Sequence, residues 1–427
     1  MQIKYILGIV TLVLFFVFFL TGKQPRKSYL LFVLCFLPFL DLSITSENYG
    51  SFTIFDALSY FSFFYLVNDF NLYKYNSFYS FLFLILVVLV FIGSVRSDFV
   101  QSSILNLLKF ISIFIFAKLL VEECRDNPPF FRMAINGLKF SCLFAIAFLL
   151  IQMVIGLKFT FYTELNPNIA DSIVTRYPGF FQDPQMFAQF LSMTSFLFLI
   201  KKDGHTKINA INYLVFAVIV AALFITGGRS AFLGMCMGLF ILLLFSKKQL
   251  AFMVLGACLA LYFAIVKYPQ FFSLFNRQES SMEAYEVRYG IWKEAFTVFK
   301  ENPFFGTGIG NYLSYIAKHS QDGYYIINDE VVYYGTESGY LRILTEMGVA
   351  GFVLAFSFVI SPLISGLKWC SKGINNSIVV FLIASIVSWM TAFTTLNTLS
   401  DKRTQIVLAT LLSLVVVATY DYKKSNA

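Results

Sequence analysis

Apolar residues fill long unbroken runs along most of this chain, and polar residues are confined to the segments between them. Each run of about 18–20 apolar residues is long enough to cross a hydrocarbon core of about 30 Å as a helix. Because the runs are continuous rather than alternating, they predict helices and not strands. The predicted spans are residues 3–20, 28–45, 52–68, 78–95, 102–120, 134–157, 185–200, 208–226, 229–246, 249–267, 347–367, 375–395 and 403–420.

One long polar excursion, residues 268–346, interrupts this pattern, and we call it the large loop. The sequence predicts a helix over 281–302, a break at Pro303 and a glycine-rich run over 306–311. The chain then returns to the membrane through residues 336–342. A polar excursion tied to a bundle of apolar helices is a suitable place for chemistry at a membrane surface.

The composition agrees with a membrane protein, being 58% hydrophobic and 19% aromatic, with a mean hydropathy of +0.73. We therefore predict an all-α polytopic membrane protein with about 12–14 transmembrane helices, in which residues 1–427 form a single integral membrane domain. The net charge of +8 does not indicate nucleic-acid binding, because cytoplasmic loops of membrane proteins collect Lys and Arg.

Loop charge orients the predicted spans, since Lys and Arg clusters mark the cytoplasmic side. These clusters are Lys23/Arg26/Lys27, Lys201/Lys202/Lys207, Lys247/Lys248, Lys368/Lys372 and Lys423/Lys424. Residues 158–184, the Gly227-Gly228 turn and the large loop then lie outside. Thirteen helices place the N-terminus outside as well, whereas one missed or re-entrant segment near 45–77 would make the number even.

The six cysteines predict neither a disulfide framework nor a metal site. Four lie inside predicted spans, two lie in loops assigned to the cytoplasm, and none lies in the large loop. We expect no metal and no cofactor.

The outside loop of residues 158–184 ends in a turn-rich segment that runs from Arg176 and Tyr177 to Asp183. Its Tyr-Pro-Gly sequence favours a turn, and Asp-Pro is typical of a helix start with Pro184 in the first turn. Asp183 is therefore either a helix N-cap or a proton acceptor. Arg176 lies beside aromatic residues at a membrane surface, which makes it a candidate site residue.

A second candidate is Arg229, in the tight turn Thr226-Gly-Gly-Arg-Ser between two predicted spans. An arginine at this boundary could extend to the lipid headgroups. A Gly-Gly turn also exposes backbone N–H groups beside the guanidinium, and that combination suits a phosphate. Both interpretations remain open.

The predicted helix of the large loop has a stripe of residues at spacings of four, three and four: Arg288, Trp292, Ala295 and Phe299. Such a stripe predicts that the helix lies flat on the membrane or on the bundle, with Arg288 at its edge. The glycine run that follows comes after a helix and a proline rather than a strand. It therefore predicts a close-approach loop and not a dinucleotide site.

Glu337 lies where the chain re-enters the membrane. It could be an ordinary carboxylate at a helix N-terminus, favoured by the helix dipole. It could also be a partly desolvated general base, and both can hold. His319 lies in a polar, tyrosine-rich stretch, where a histidine usually has no catalytic role.

Four sequence blocks, in this order, resemble the O-antigen polymerase and O-antigen ligase superfamily of bacterial inner membranes. The first block is Arg-Tyr-Pro-Gly-Phe-Phe-Gln-Asp-Pro, which begins at Arg176, and the second is Thr-Gly-Gly-Arg-Ser-Ala, which begins at Thr226. The third has two parts, Arg-Tyr-Gly-Ile-Trp from Arg288 and Asn-Pro-Phe-Phe-Gly-Thr-Gly-Ile-Gly-Asn-Tyr from Asn302. The fourth is Glu-Ser-Gly-Tyr-Leu-Arg, which begins at Glu337. The resemblance implies a metal-independent glycosyltransferase with a membrane-embedded fold of the C type and undecaprenyl-diphosphate-linked sugar donors. It carries the family's arginines over to Arg176, Arg229 and Arg288.

One departure separates two branches of this superfamily. Ligases usually have a histidine where the chain re-enters the membrane after the large loop, and this sequence has Glu337-Ser338 there. That substitution looks more like the polymerase branch, which extends O-antigen, capsule or exopolysaccharide chains. The resemblance therefore does not identify the general base, for which Glu337 is the first candidate and Asp183 the second.

The expected chemistry is attack of a sugar hydroxyl on the donor's anomeric carbon, with a lipid diphosphate leaving. Arginines stabilise the charge that builds on the diphosphate, and a carboxylate accepts the hydroxyl proton. Aromatic rings at the outer loops could stack on sugars or belong to an interfacial belt. The candidate substrate-binding residues are Tyr177, Tyr289, Trp292, Gly308, Gly310 and Asn311.

The expected partners are lipid-linked donor and acceptor oligosaccharides, membrane lipids and a chain-length regulator protein. Two alternatives remain open. A ligase that transfers glycan to lipid A core requires His319 or another group in place of the missing histidine. A flippase or other transporter should have polar groups meeting at the midplane, whereas Asp56, Lys109 and Lys118 are expected to be scattered.

Overall fold

Helices form most of the described part of this protein in the computed structural model, which describes residues 2–44, 52–68, 77–162, 175–200, 210–245, 256, 282–319, 324–327, 330–333, 335–371, 377–399 and 401–425. The α-helices are α1 (Gln2–Thr21), α2 (Pro25–Cys35), α3 (Ile54–Asn68), α4 (Ser77–Arg96), α5 (Val100–Asp126), α6 (Pro128–Ile155), α7 (Pro184–Ser195), α8 (Ala210–Thr226), α9 (Arg229–Leu244), α10 (Met282–Glu301), α11 (Tyr312–His319), α12 (Gly339–Ser371), α13 (Ser377–Ala392) and α14 (Lys402–Ser425). A two-stranded antiparallel hairpin, β1 (Tyr324–Ile327) and β2 (Glu330–Tyr333), lies within the large loop.

The predicted all-α polytopic membrane fold is confirmed. Among the described residues, five helices are long and apolar enough to cross a membrane, and four shorter ones are also apolar. The long ones are Phe78–Arg96, Val100–Asp126, Pro128–Ile155, Gly339–Ser371 and Lys402–Thr419, and the shorter ones are Tyr5–Thr21, Ala210–Thr226, Arg229–Leu244 and Ile378–Ala392. The total number of spans stays a prediction, because the predicted span 249–267 lies outside the described residues apart from residue 256.

The prediction of one continuous span over 28–45 is wrong. Helix α2 ends at Cys35 and is followed by a 3-10 turn, Leu37–Phe39. The physical reason is Pro38, which has no backbone N–H to donate and disfavours helical geometry in the residue before it. The segment still crosses the bundle, since Arg26 pairs with Glu123 at one end and Asp41 lies beside Arg403 at the other.

Two groups of polar contacts lie at opposite ends of the helix bundle. At one end, Arg26 pairs with Glu122, Glu123 and Asp126, at 3.6, 2.8 and 3.3 Å. At the other end, the connections that follow α4, α6, α8, α10 and α13 contact one another, and we call this the loop end. These connections are the ones expected outside. Their sidedness stays a prediction.

Two packing features place the elements that bear the candidate site. Helices α9 and α13 approach closely because Gly234 and Gly238 have no side chain. A Cβ on either glycine would collide with the backbone carbonyl of Ser388 or Ala384. Asp56 and Lys109, which the sequence suggested were scattered charges, form an ion pair of 2.6 Å instead.

Candidate active site at the loop end

The large loop brings together two of the predicted catalytic residues, Arg288 and Glu337. The Arg288 Nε lies 2.8 Å from Glu337 Oε2. The two side chains keep 53% and 36% of their surface exposed, so both are accessible to a ligand. A guanidinium and a carboxylate in contact offer an anion-binding group and a proton acceptor at one place.

Glu337 is held at the entrance to α12 by its neighbours. The Gly339 N–H donates to the Phe393 carbonyl at 3.0 Å, and Tyr340 Oη donates to the Met390 carbonyl at 2.8 Å. A Cβ on Gly339 would collide with the Phe393 ring. The position just before a helix N-terminus favours a carboxylate, so the dipole interpretation and the base interpretation are compatible.

Arg229 is the first residue of α9 and is exposed. Its neighbour Ser230 contacts Thr395 through their hydroxyls at 2.8 Å. Because Phe393 binds Gly339 and Thr395 binds Ser230, the turn after α13 places Arg229 and Glu337 at the same part of the loop end.

Arg176 differs from the other two arginines, since only 2% of its surface is exposed. Its Nε donates to the carbonyl of Thr226 at 3.0 Å, directly before the turn that leads into Arg229. A Cβ on Gly228 would collide with Ala188, so this turn also packs against α7. Arg176 therefore holds the segment that presents Arg229, and its direct contact with a diphosphate stays a prediction.

Asp183 is the N-cap of α7. Its Oδ1 accepts a hydrogen bond of 2.7 Å from the Gln185 N–H. This is the capping role that the Asp-Pro sequence indicates. Nearby Tyr177 is partly buried against the core, and its contact with a sugar stays a prediction.

The packed face of α10 is not the predicted stripe. Ile291, Ala295 and Val298 are buried, whereas Trp292 is 36% exposed. Of the four stripe residues, only Ala295 belongs to the buried face. The branched Ile and Val pack inward, and α10 leaves its larger aromatic rings outside.

The outward aromatic face of α10 lies beside Arg288. Tyr289 and Phe296 are 61% and 47% exposed, and Trp292 lies one turn beyond Arg288. Rings in this position are available to sugars or to lipid, and sugar binding by Tyr289 and Trp292 stays a prediction.

The glycine run is a close-approach loop, as its sequence indicates. Gly308 and Gly310 have φ values of 96° and 80°, and a Cβ on either would collide with Ser103 or Asn106 of α5. Asn311 is fully buried, and its Nδ2 donates to Ser103 Oγ at 2.8 Å. These contacts fix the loop, whereas substrate binding by Gly308, Gly310 and Asn311 stays a prediction.

Glu346 supports the candidate site, and the sequence gave it no role. Its carboxylate accepts N–H bonds from Gly310 at 2.8 Å and Tyr312 at 3.2 Å, and it pairs with Arg342. Two turns after Gly339, it thus ties the glycine run to the helix that begins beside Glu337. The sequence indication was an acidic residue directly before the predicted apolar span 347–367.

Arg403 is the second such residue. It lies at the start of α14 with 1% of its surface exposed, and it contacts Asp401, Tyr162 and the Phe180 carbonyl. The sequence indication was the run Asp-Lys-Arg at a span boundary, where three charges are unusual.

His319 lies at the end of α11 and binds Asp98 at 2.6 Å, beside Lys318 at 3.0 Å. The hydrogen bonds from His319 and Lys318 lower the pKa of the Asp98 carboxyl. This exposed cluster holds α11 to the turn between α4 and α5. The residue in contact with Arg288 is Glu337.

Two comparisons with known proteins find partial matches to this chain. The family described as O-Antigen ligase matches residues 214–356, which include Arg229, Arg288 and Glu337. The Teichuronic acid biosynthesis protein TuaE of Bacillus subtilis (strain 168) is 26% identical over 222 residues, covering 47% of this chain and 45% of that protein. This chain therefore spans less than half the length of that curated relative.

The apolar helices make the protein a multi-pass membrane protein. Its resemblance to the O-antigen polymerase and ligase superfamily is confirmed by these comparisons.

Proposed function

We propose that this protein is a polysaccharide polymerase, a glycosyltransferase that joins undecaprenyl-diphosphate-linked repeat units at the outer face of the bacterial inner membrane without a metal ion. The observation that carries the proposal is the contact between Arg288 and Glu337, 2.8 Å apart and accessible. Arg229 lies at the same end of the bundle.

The arginines act on the leaving group. In the reaction, the bond between the donor's anomeric carbon and the diphosphate oxygen breaks, and its electron pair leaves with the lipid diphosphate. Exposed guanidinium groups of Arg229 and Arg288 would each bind two phosphate oxygens and stabilise that charge at a low-dielectric boundary.

Glu337 acts on the acceptor. A sugar hydroxyl of the acceptor forms the new bond to the anomeric carbon, and its proton passes to the Glu337 carboxylate. In the structure that carboxylate pairs with Arg288. When a diphosphate oxygen replaces the carboxylate as the partner of Arg288, the carboxylate becomes available to accept the hydroxyl proton. Donor binding would thus activate the base.

The polymerase assignment rests on Glu337-Ser338 at the position where ligases usually have a histidine. The relative named for teichuronic acid biosynthesis favours a role in making a surface polysaccharide. The second candidate is an O-antigen ligase, because the matching family carries that description. A transporter is less favoured, since the candidate site lies at one end of the bundle rather than at its midplane.

The proposed partners follow from this chemistry. They are the lipid-linked donor and acceptor oligosaccharides, the surrounding membrane lipids and a chain-length regulator protein.

The test is the glycan profile of a strain that lacks this protein, resolved on a gel together with its lipid-linked intermediates. Loss of polymer with single repeats still exported supports the polymerase. Accumulation of lipid-linked polymer would show a ligase instead, and repeats retained inside the cell would show a flippase.

A further inference from the structure

The Arg403 guanidinium lies at the centre of a buried polar cluster that the proposed reaction does not use. Nη2 lies 2.5 Å from Asp401 Oδ2. Nη1 donates to Tyr162 Oη at 3.1 Å and to the Phe180 carbonyl at 3.0 Å. The guanidinium carbon lies 3.9 Å from the centre of the Phe181 ring. Nε donates to Asp401 Oδ1 and Oδ2 at 3.2 and 3.1 Å, so all three guanidinium nitrogens have a partner.

A second carboxylate completes the cluster. Tyr162 Oη donates to Asp41 Oδ2 at 2.9 Å, and Arg403 Nη2 lies 3.4 Å from the same oxygen. The cluster thus joins four segments that are far apart in sequence: the chain after α2, the chain after α6, residues 175–183 and the start of α14.

Stability alone does not explain such a cluster. Removing charged groups from water is unfavourable, and apolar residues of similar volume often give an equal or more stable fold. Directional bonds from one planar group do, however, fix the relative position of the segments they join. The cluster is therefore better explained by geometry that another part of the molecule needs.

One chain of contacts leads from Arg403 to Arg229. Arg403 fixes Phe180 and Phe181, and the Gly179 N–H is fixed in turn by Gln152 Oε1 at 2.9 Å. The same short segment carries Arg176, whose Nε bonds to the Thr226 carbonyl three residues before Arg229.

A second chain of contacts leads through the connection between α13 and α14. Asp401, the partner of Arg403, bonds through its N–H to the Thr398 carbonyl at 3.1 Å. The same connection begins at Phe393 and Thr395, which hold Gly339 and Ser230. Both chains of contacts end beside the candidate diphosphate site.

We propose that Arg403 is a positioning residue for this site. It fixes the position of the Arg229 guanidinium through residues 175–183 and through the connection between α13 and α14. The proposal rests on the proposed function, because it takes a lipid diphosphate as the ligand of Arg229. Arg403 itself is buried and does not touch substrate.

The test is a double-mutant cycle on binding of undecaprenyl diphosphate to the purified full-length protein in detergent. Arg403→Lys keeps the charge and loses the planar fork, and we expect affinity to fall on the order of tenfold. In an Arg229→Ala background the same change should alter affinity less than about twofold, because the contact that it positions is already absent. A purely structural role would lower affinity by the same factor in both backgrounds and would overturn the proposal.

Two further variants keep the test decisive. If Arg403→Lys does not fold, Tyr162→Phe removes only the hydroxyl that joins Arg403 to Asp41, and it should show a smaller effect with the same dependence on Arg229. Arg26→Lys is the matched control, since Arg26 also binds carboxylates but at the opposite end, and it should leave affinity unchanged. Wild-type protein that does not bind undecaprenyl diphosphate would contradict the proposed function itself, which is a different outcome from an additive cycle.

Discussion

At the scale of single residues, the contact between Arg288 and Glu337 is an accessible ion pair. The Arg288 and Glu337 side chains are 53% and 36% exposed, and such pairs contribute at most about 1 kcal/mol to stability. The two residues are 49 positions apart and are joined only by the fold. The exposure leaves both groups accessible to a ligand, as the proposed function requires.

The first prediction concerns Arg288. Arg288→Ala should reduce polymerisation of a lipid-linked repeat by about 100- to 1000-fold, because it removes an electrostatic contact to the leaving diphosphate. Arg288→Lys should keep partial activity, since the charge remains without the bidentate fork. Both should keep a near-normal thermal midpoint in detergent.

The control is Lys293→Ala, which removes an exposed charge from the same helix and should leave activity within about twofold. Near-normal polymer from Arg288→Ala would show that this arginine only anchors α10.

The sequence predicted the residues of this contact better than the residues that hold it. Arg288, Arg229 and Glu337 stood out because charges are rare in this chain. Arg229 and Glu337 lie at segment boundaries, and Arg288 lies at the edge of an apolar stripe. Arg403 and Glu346 did not, since their importance lies in partners such as Phe180 and Gly310 that only the fold brings near.

At the scale of elements, α12 begins beside the candidate site, and its helical geometry is interrupted near its N-terminal end. Gly348 has φ 66° and ψ −176°, far from helical values. The Val349 N–H bonds to the Pro303 carbonyl at 2.8 Å, so the glycine-rich loop fills the break. The sequence placed the span at 347–367, which corresponds to the helix after the break, and the helical turns from Gly339 up to the break precede it.

The second prediction tests that break. Gly348→Ala should destabilise the protein by about 2–6 kcal/mol, because this conformation is nearly restricted to glycine and the new Cβ would collide with Phe304. The measurement is the thermal midpoint in detergent, together with polymer formation. Gly335→Ala is the control, since its Cβ would lie 3.6 Å from Arg342 Nη1 and should be tolerated. Equal midpoints for the two variants would contradict the packing of the loop into the break.

The face of α10 shows a limit of periodicity. Arg288, Trp292, Ala295 and Phe299 fit a helical stripe, yet the buried residues begin at Ile291. Neighbouring stripes on one helix differ by a single position, and the sequence does not tell which stripe meets the bundle.

At the scale of the whole molecule, the connections after α4, α6, α8, α10 and α13 meet at one end, and the Arg26 cluster lies at the other. Hydrophobic runs were sufficient to predict the all-α membrane fold, because the bilayer leaves few alternatives. They were not sufficient to locate the interruption at Pro38, since an apolar 3-10 segment has the same composition as a helix.

The third prediction tests sidedness. In a background without native cysteines, Lys293→Cys on α10 should react with an impermeant thiol reagent in cells whose outer envelope alone is permeabilised. Asp126→Cys, also exposed but at the end with the Arg26 cluster, should react only after lysis. Loop charge gives this orientation. The reverse labelling pattern would overturn the topology and the proposed mechanism with it.

The most direct test of the whole account compares Glu337→Gln with Asp183→Asn in purified protein supplied with a lipid-linked repeat. Glu337→Gln keeps the shape of the side chain and removes its basicity. It should bind undecaprenyl diphosphate and lose turnover by about 100-fold or more. Asp183→Asn should retain most activity, because asparagine also caps a helix. Normal polymer from Glu337→Gln together with an inactive, folded Asp183→Asn would contradict the assignment of Glu337 as the base.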